Sequence, residues 1–267
     1  MGNNIVDVKN KPHAVLLVES KLCDVDNFIK EYIKSIVLQY GGGEWAKKID
    51  NNEYYDIIRV NGYKNAIKKE EILNIIDRFS MTGIESIGLK FYIISGIEQA
   101  TPQAINSLLK FLEEPFSKIF AILTTRSLNL VLPTIRSRTQ TFILKSKIEE
   151  FTKNLENYKL DQQQMNVIKN IYYSYDEIIN DLKNNDFYFI YDLAISFKKN
   201  IDDIFIIKKI QEQFSKLNYS QISLLIKIIG IFFPNNIRLI NLIETIHNNP
   251  VKILLFNKVW SIIQEAT

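Results

Sequence analysis

Between Leu89 and Leu144 the chain repeats one alternation, and that alternation restricts the folds open to it. Phe91-Tyr92-Ile93-Ile94 is an apolar run rich in aromatic and β-branched residues, and it reads as a buried strand. Thr101-Pro102 then starts a helix, with a hydroxyl to cap free backbone N–H groups and a proline where no N–H is needed. Ile105, Leu108, Leu109 and Leu112 fall on one apolar stripe of that helix. Glu113-Glu114-Pro115 ends it, because the residue before a proline is biased away from helix. A second strand, Ile119 to Leu123, leads into Thr124-Thr125-Arg126. After a further turn come Leu132 to Arg138 and a third strand, Thr141 to Leu144. Strand–helix–strand–helix–strand at this spacing predicts an α/β fold with a parallel sheet.

The flanking sequence extends the pattern. His13 to Val18 reads as the first strand of the sheet, and Tyr55 to Val60 as another. Asn27 to Gln39 is helical, with Phe28, Ile29, Tyr32, Ile33, Ile36 and Val37 on one face. Gly41-Gly42-Gly43 follows as a plain turn, since no Lys-Ser/Thr pair succeeds it and a helix, not a strand, precedes it. Lys69 to Phe79 forms an amphipathic helix with Ile72, Leu73, Ile75, Ile76 and Phe79 inward. At its start Lys64, Lys68 and Lys69 offer either a solvated face or a surface for DNA or a partner.

After Leu144 only helices are expected: Ser146–Tyr158, Asp161–Tyr173 and Tyr175–Lys183, then Phe187–Lys198, Ile201–Leu217, Ser220–Phe233, Ile237–Asn248 and Val251–Glu265. Their breaks are polar or carry prolines, and Asn184-Asn185-Asp186 marks a domain boundary. The predicted organisation is an α/β module over 1–145, a small helical segment over 146–185 and an all-α domain over 186–267. In the last domain Ile222, Leu224, Leu225, Ile228, Ile229 and Phe232 cover more than one stripe, which implies burial on more than one side.

Composition narrows the chemistry. A length of 267 residues, 46% hydrophobic and 24% charged, is that of a soluble globular protein with a sizeable core. The net charge of +3 permits contact with nucleic acid without demanding it. A single cysteine, Cys23, excludes an internal disulfide and a cysteine-rich metal site, and suits a reducing cytoplasm. His13 and His247 stand far apart and support neither a His-based metal site nor a triad. Met1 to Lys11 has no apolar core segment of a secretory signal, and Ile222 to Phe233, broken by Lys227, falls short of the roughly 20 residues a membrane span needs.

The turn after the first strand decides the enzymology. A phosphate-binding loop uses glycines to close backbone N–H groups around phosphates and a Lys-Ser/Thr pair to serve phosphate and Mg²⁺. Glu19-Ser20-Lys21-Leu22-Cys23-Asp24 contains no glycine. Glu19 would set a negative charge near the phosphates, costing roughly 1–4 kcal/mol per charge pair at about 4 Å. This loop is not expected to bind ATP.

Two motifs carry a family resemblance. Gln103-Ala104-Ile105-Asn106-Ser107-Leu108-Leu109-Lys110-Phe111-Leu112-Glu113-Glu114-Pro115 resembles a helix of bacterial clamp-loader subunits of the AAA+ class. Leu132-Pro133-Thr134-Ile135-Arg136-Ser137-Arg138-Thr139 resembles the family's Ser-Arg-Cys motif, whose arginine acts on a neighbouring subunit's nucleotide. Both occur in order, at the family's spacing, each attached to a strand; the degenerate loop makes the delta-prime type of DNA polymerase III subunit the nearest likeness. An ATPase of this class wants Asp-Glu after the Phe91–Ile94 strand, one carboxylate to hold Mg²⁺ and one to activate water. Ser95-Gly96 stands there, and Glu98 lies too far along to substitute on the same backbone path.

The resemblance therefore implies an AAA+ module that binds neither ATP nor Mg²⁺ itself, followed by a lid and a collar domain. Arg138 would be the arginine finger, presented with Pro133, Thr134, Arg136, Ser137 and Thr139 to ATP and Mg²⁺ on the adjacent subunit. A planar, permanently charged guanidinium suits that task. Thr139 replaces the family's cysteine, and Thr124-Thr125, where active relatives sense the γ-phosphate, is read as structural, capping the turn at Ser127. Implied partners are tau/gamma-type ATPase subunits and a delta-type subunit in a hetero-pentamer, with the sliding clamp and primed DNA reached through the complex and no membrane involved. Many relatives carry four cysteines and zinc after the first helix; this chain has no cysteine there, so no zinc is expected. Two other readings stay open: an active AAA+ ATPase with an unorthodox loop, and a DNA-binding adaptor with an AAA+ core.

Overall fold

The computed structural model describes residues 11–63, 65–80, 83–113, 117–146, 148–234, 236, 238–239, 242 and 250–265. They fall into two compact units, up to Ser146 and from Lys147 on.

In the first unit five parallel strands form one sheet in the order β2-β3-β4-β1-β5, with β1 Ala14–Val18, β2 Ile57–Asn61, β3 Lys90–Ser95, β4 Ile119–Thr125 and β5 Gln140–Ile143. The parallel α/β expectation is borne out. Both faces of the sheet are covered, which is why β1, β3 and β4 read as continuous apolar runs. Alternate residues supply two cores. Val15 and Leu17 pack with Ile29, Tyr32, Ile33 and Ile36 of α1 (Val25–Gln39) and Ile49 of α2 (Gly43–Asp50). Ala14 and Leu16 pack with Ile72 and Ile75 of α3 (Lys69–Ser80), Ile105, Leu108 and Leu112 of α4 (Pro102–Glu113), and Ile135 of α5 (Pro133–Arg136).

Several local readings change. The glycine run turns the chain at Gly41 (φ 78°), but Gly43 already opens α2, a helix the sequence reading passed over. The strands at the sheet edges, β2 and β5, start two residues later and one residue earlier than expected, because β2 is only partly buried, β5 is mostly exposed and their apolar pattern is weak. Leu73 lies 39% exposed instead of inward, while Phe111, outside the expected stripe, is buried against Tyr92. Thr101 caps α4 as expected, its hydroxyl accepting from the Ala104 N–H at 3.3 Å. Lys68 and Lys69 are exposed. Lys64, the Phe79 side chain, Glu114-Pro115 and most of the expected Ile237–Asn248 helix, including His247, lie outside the described residues.

The second unit is helical throughout its described residues: α6 Ile148–Asn154, α7 Gln162–Ile171, α8 Tyr175–Lys183, α9 Asp186–Lys199, α10 Ile204–Lys216, α11 Tyr219–Phe232 and α12 Lys252–Gln264. Capping boxes start α7 (Asp161 with Gln164) and α11 (Asn218 with Gln221), and Asp203 caps α10, which moves its start from the expected Ile201. Helix α11 buries Ile222, Leu224, Leu225, Ile226, Ile228 and Ile229, a breadth that matches its all-round apolar sequence. Phe187, fully buried, stacks on Tyr191 at 5.8 Å and lies 6.4 Å from Tyr172, so helices before and after Asn185 share one core. No helix among the described residues is long and apolar enough to cross a membrane.

Candidate functional site

In a parallel α/β sheet the carboxyl ends of the strands form the crevice where ligands bind. Here β1 and β4 run side by side to Val18 and Thr125, and the Glu19 N–H continues the ladder to the Thr125 carbonyl at 2.8 Å. The Glu19 side chain turns into that crevice and is 5% exposed. Its Oε1 accepts from the Tyr63 hydroxyl at 3.0 Å and from the Thr124 hydroxyl, and its Oε2 lies 3.6 Å from Arg126 Nε. The Arg126 guanidinium sits over the Tyr63 ring, 4.0 Å from its centroid. The Arg126 backbone N–H donates to Glu98 Oε1 at 3.1 Å.

Gly96 explains how the aromatic ring fits. Its φ is 69°, in the left-handed region, and a Cβ there would meet Tyr63 ring atoms at 2.7 Å. At Gly96, where an ATPase of this class carries an acid, there is no side chain, and the Tyr63 ring takes the space. Glu98, on the turn beyond, does not reach a metal-binding pair either; it serves Arg126. Among the described residues no group of three or more His, Cys, Asp or Glu could hold a metal ion.

Burial raises the Glu19 carboxyl above its ordinary value, opposed by the Thr124 hydrogen bond, the Arg126 charge and the Tyr63 hydroxyl. The Tyr63 hydroxyl is raised by burial and by the charges of Glu19 and Glu98. Burial, with Glu19 nearby, pushes the Cys23 thiol up to about 12, so it is no nucleophile at neutral pH. The start of α1 is closed to anions by the chain's own acid: Asp24 Oδ1 accepts from the Asn27 N–H at 3.1 Å, and Asp26 lies in the first turn. Leu22, with φ 52° and 1% exposed, takes a backbone conformation glycine would favour. Thr125, beside Thr124, has the expected structural role: its hydroxyl donates to the Ser127 carbonyl at 3.0 Å and accepts from the Ser127 N–H at 3.1 Å.

The residues of the second motif lie together on and just after α5. Pro133 is its first residue, and Ile135, fully buried, anchors it to the core. The Ser137 hydroxyl donates to the Thr134 carbonyl at 3.1 Å, and the Thr139 hydroxyl to the Ile135 carbonyl at 3.0 Å. Arg136 is exposed and makes no ion pair among the described residues. Arg138 donates from one terminal nitrogen to the Thr134 carbonyl at 3.0 Å and the Ser137 hydroxyl at 3.4 Å, and from the other to Glu113 Oε1 at the end of α4. Sequence reasoning missed Tyr63, Arg126 and Glu113; their partners are distant in sequence, and no local spacing signals them.

Residues 3–148, which span both the crevice and α5, match the model of a family described as DNA polymerase III, delta subunit. The chain belongs to that family. Other members of this DNA polymerase III group align with parts of it: 96 residues are 44% identical to DNA polymerase III subunit delta' of Bacillus subtilis strain 168, covering 36% of this chain and 29% of that protein. An uncharacterized protein MG007 homolog of Mycoplasma pneumoniae is 25% identical over 260 residues, covering 92% of this chain and 97% of its own. The crystal structure of a DNA polymerase III gamma subunit-related protein of Thermotoga maritima superimposes with a TM-score of 0.59 at 16% identity, covering 98% of this chain and 97% of that one, which establishes a common fold. The clamp-loader resemblance of the two motifs thus holds at the level of the family.

Proposed function

We propose that this DNA polymerase III subunit is of the delta-prime type: it neither binds nor hydrolyses ATP, and it supplies Arg138 in trans to the nucleotide of an adjacent tau/gamma-type ATPase subunit. Its ring would be a hetero-pentamer with a delta-type subunit, loading the sliding clamp onto primed DNA. The 146–185 segment would act as the lid and 186–267 as the collar, where exposed Phe205 and Leu254 offer apolar surface to neighbouring subunits.

The observation that carries this reading is the burial of Glu19 between Tyr63, Thr124 and Arg126 at the end of β1. A triphosphate seated there would have to displace a carboxylate already held by three side chains. It would also face Asp24 at the start of α1, where a phosphate loop offers free N–H groups. Arg138 stands apart from that network, two residues past the end of a short helix whose polar residues are exposed.

Calorimetric titration of the isolated chain with Mg-ATP tests the first half, and no saturable binding below the millimolar range is expected. A micromolar dissociation constant would overturn it and favour the active-ATPase reading. For the second half, Arg138→Ala in the reconstituted complex should leave assembly intact and lower clamp- and DNA-stimulated hydrolysis. An arginine finger contributes about 10³–10⁵ in rate at the site it serves, and the effect on the whole complex is smaller because other sites keep theirs.

A further inference from the structure

A finger must be aimed as well as charged. Arg138 has five N–H donors. Two of them are held on the α5 side, by the Thr134 carbonyl at 3.0 Å and the Ser137 hydroxyl at 3.4 Å. Those contacts lie one and four residues away and move with the same short helix. The third contact comes from elsewhere in the fold: Glu113, the last residue of α4, takes the other terminal nitrogen. Helix α4 is fixed to the sheet by Ile105, Leu108, Phe111 and Leu112, so its carboxylate is an external reference point for the guanidinium. The side chains of Arg138 and Glu113 are 33% and 48% exposed, too open for the pair to add much to stability. What it can fix is direction, since charge-assisted bonds from two sides define both the position and the plane of a guanidinium.

We infer that Glu113 is a positioning residue, holding Arg138 at the angle from which it meets the neighbouring subunit's nucleotide. The inference rests on the reading of Arg138 as the group delivered in trans. It assigns Glu113 no contact with nucleotide and no proton to move. Among the described residues one Arg138 terminal N–H is left without an acceptor, and that side of the guanidinium is the one offered to a phosphate oxygen.

The test uses the full complex, reconstituted with wild-type ATPase and delta-type subunits, sliding clamp and primed DNA, and follows hydrolysis across a range of ATP concentrations. Glu113→Ala should lower kcat about threefold to tenfold at the served site, as expected for a displaced catalytic group, with KM for ATP unchanged. Glu113→Gln, which keeps a hydrogen-bond acceptor, should recover part of that loss. Combining Glu113→Ala with Arg138→Ala should be no slower than Arg138→Ala alone, because Glu113 acts only through Arg138. Additive losses in the double variant would overturn the inference, as would a wild-type or raised kcat for Glu113→Ala beside a slow Arg138→Ala. A wild-type rate for Arg138→Ala would instead remove the finger reading itself, so the two failures are told apart.

Discussion

The crevice at the end of β1 and the corner where α4 meets α5 are built from the same kinds of side chain, an acid and an arginine with hydroxyls around them. In the crevice Glu19 is 5% exposed and Arg126 lies over an aromatic ring. At the corner Arg138 and Glu113 are a third to a half exposed, and Arg136 beside them is open to solvent. The first arrangement turns its acid and arginine toward one another inside the fold. The second keeps its charges on the surface, where a partner can use them. Burial is what separates the two arrangements.

The largest effect should come from the anchor under the corner. Ile135 is fully buried beneath α5, and Ile135→Ala should cost about 2–5 kcal/mol in denaturant unfolding, the range for a truncated core isoleucine. A cost below about 1 kcal/mol would mean that α5 is not fixed to the core, and the corner would lose its claim to a defined geometry.

Next comes the crevice itself. Glu19→Ala strips the Tyr63 and Thr124 hydroxyls of their acceptor and Arg126 of its counter-charge. Lost partners at buried sites cost about 1–3 kcal/mol, and relief of the carboxylate's own desolvation keeps the net toward the lower end. Glu19→Gln isolates that desolvation. With its folded value above 4.5, Glu19 contributes stability that is full below that pH and lost as pH rises through the folded value. Glutamine does not titrate, so the stability of Glu19→Gln relative to wild type should improve between pH 4 and pH 7. A difference that does not change with pH would show that Glu19 is not buried as described.

Much of this could be read in advance, and the limits follow from geometry. Strands β1, β3 and β4 announced themselves because both their faces are covered, whereas β2 and β5, at the edges, left a weak pattern. Helix α2 escaped because only Ala46 and Ile49 of its eight residues are buried and its first residue is the third glycine of the run. Glu19 was recognisable as a residue hostile to phosphate. Its partners were not, since Tyr63 and Thr124 lie 44 and 105 residues away and only the parallel sheet brings them together. Arg138 was singled out through its motif, while Glu113, 25 residues earlier, was read only as the end of a helix.

A smaller effect distinguishes the turn after β4. Thr125→Val keeps the shape of a side chain that is 0% exposed but removes both bonds to Ser127. A cost of about 1–2 kcal/mol is expected in the same unfolding measurement, from two backbone groups left without partners in a half-buried turn. A neutral substitution would mean that water replaces the hydroxyl, and that the loop leading toward α5 is held by something else.

The smallest effect belongs to Glu113, and its smallness is the point. Exposed ion pairs contribute about 0–1 kcal/mol, and their charges are screened over roughly 3 Å in 1 M salt against about 10 Å in 0.1 M. Glu113→Gln should therefore change unfolding stability by less than about 1 kcal/mol at low salt and by nothing measurable at 1 M salt. At the same ionic strength Glu19→Gln should keep its effect, because a carboxylate that is 5% exposed is largely out of reach of mobile ions. If both variants lost their effects together in salt, the contrast between a closed crevice and an open corner would fail. If Glu113→Gln instead cost several kcal/mol, the Arg138 pair would be a structural tie like that of the crevice, and the contrast would fail from the other side.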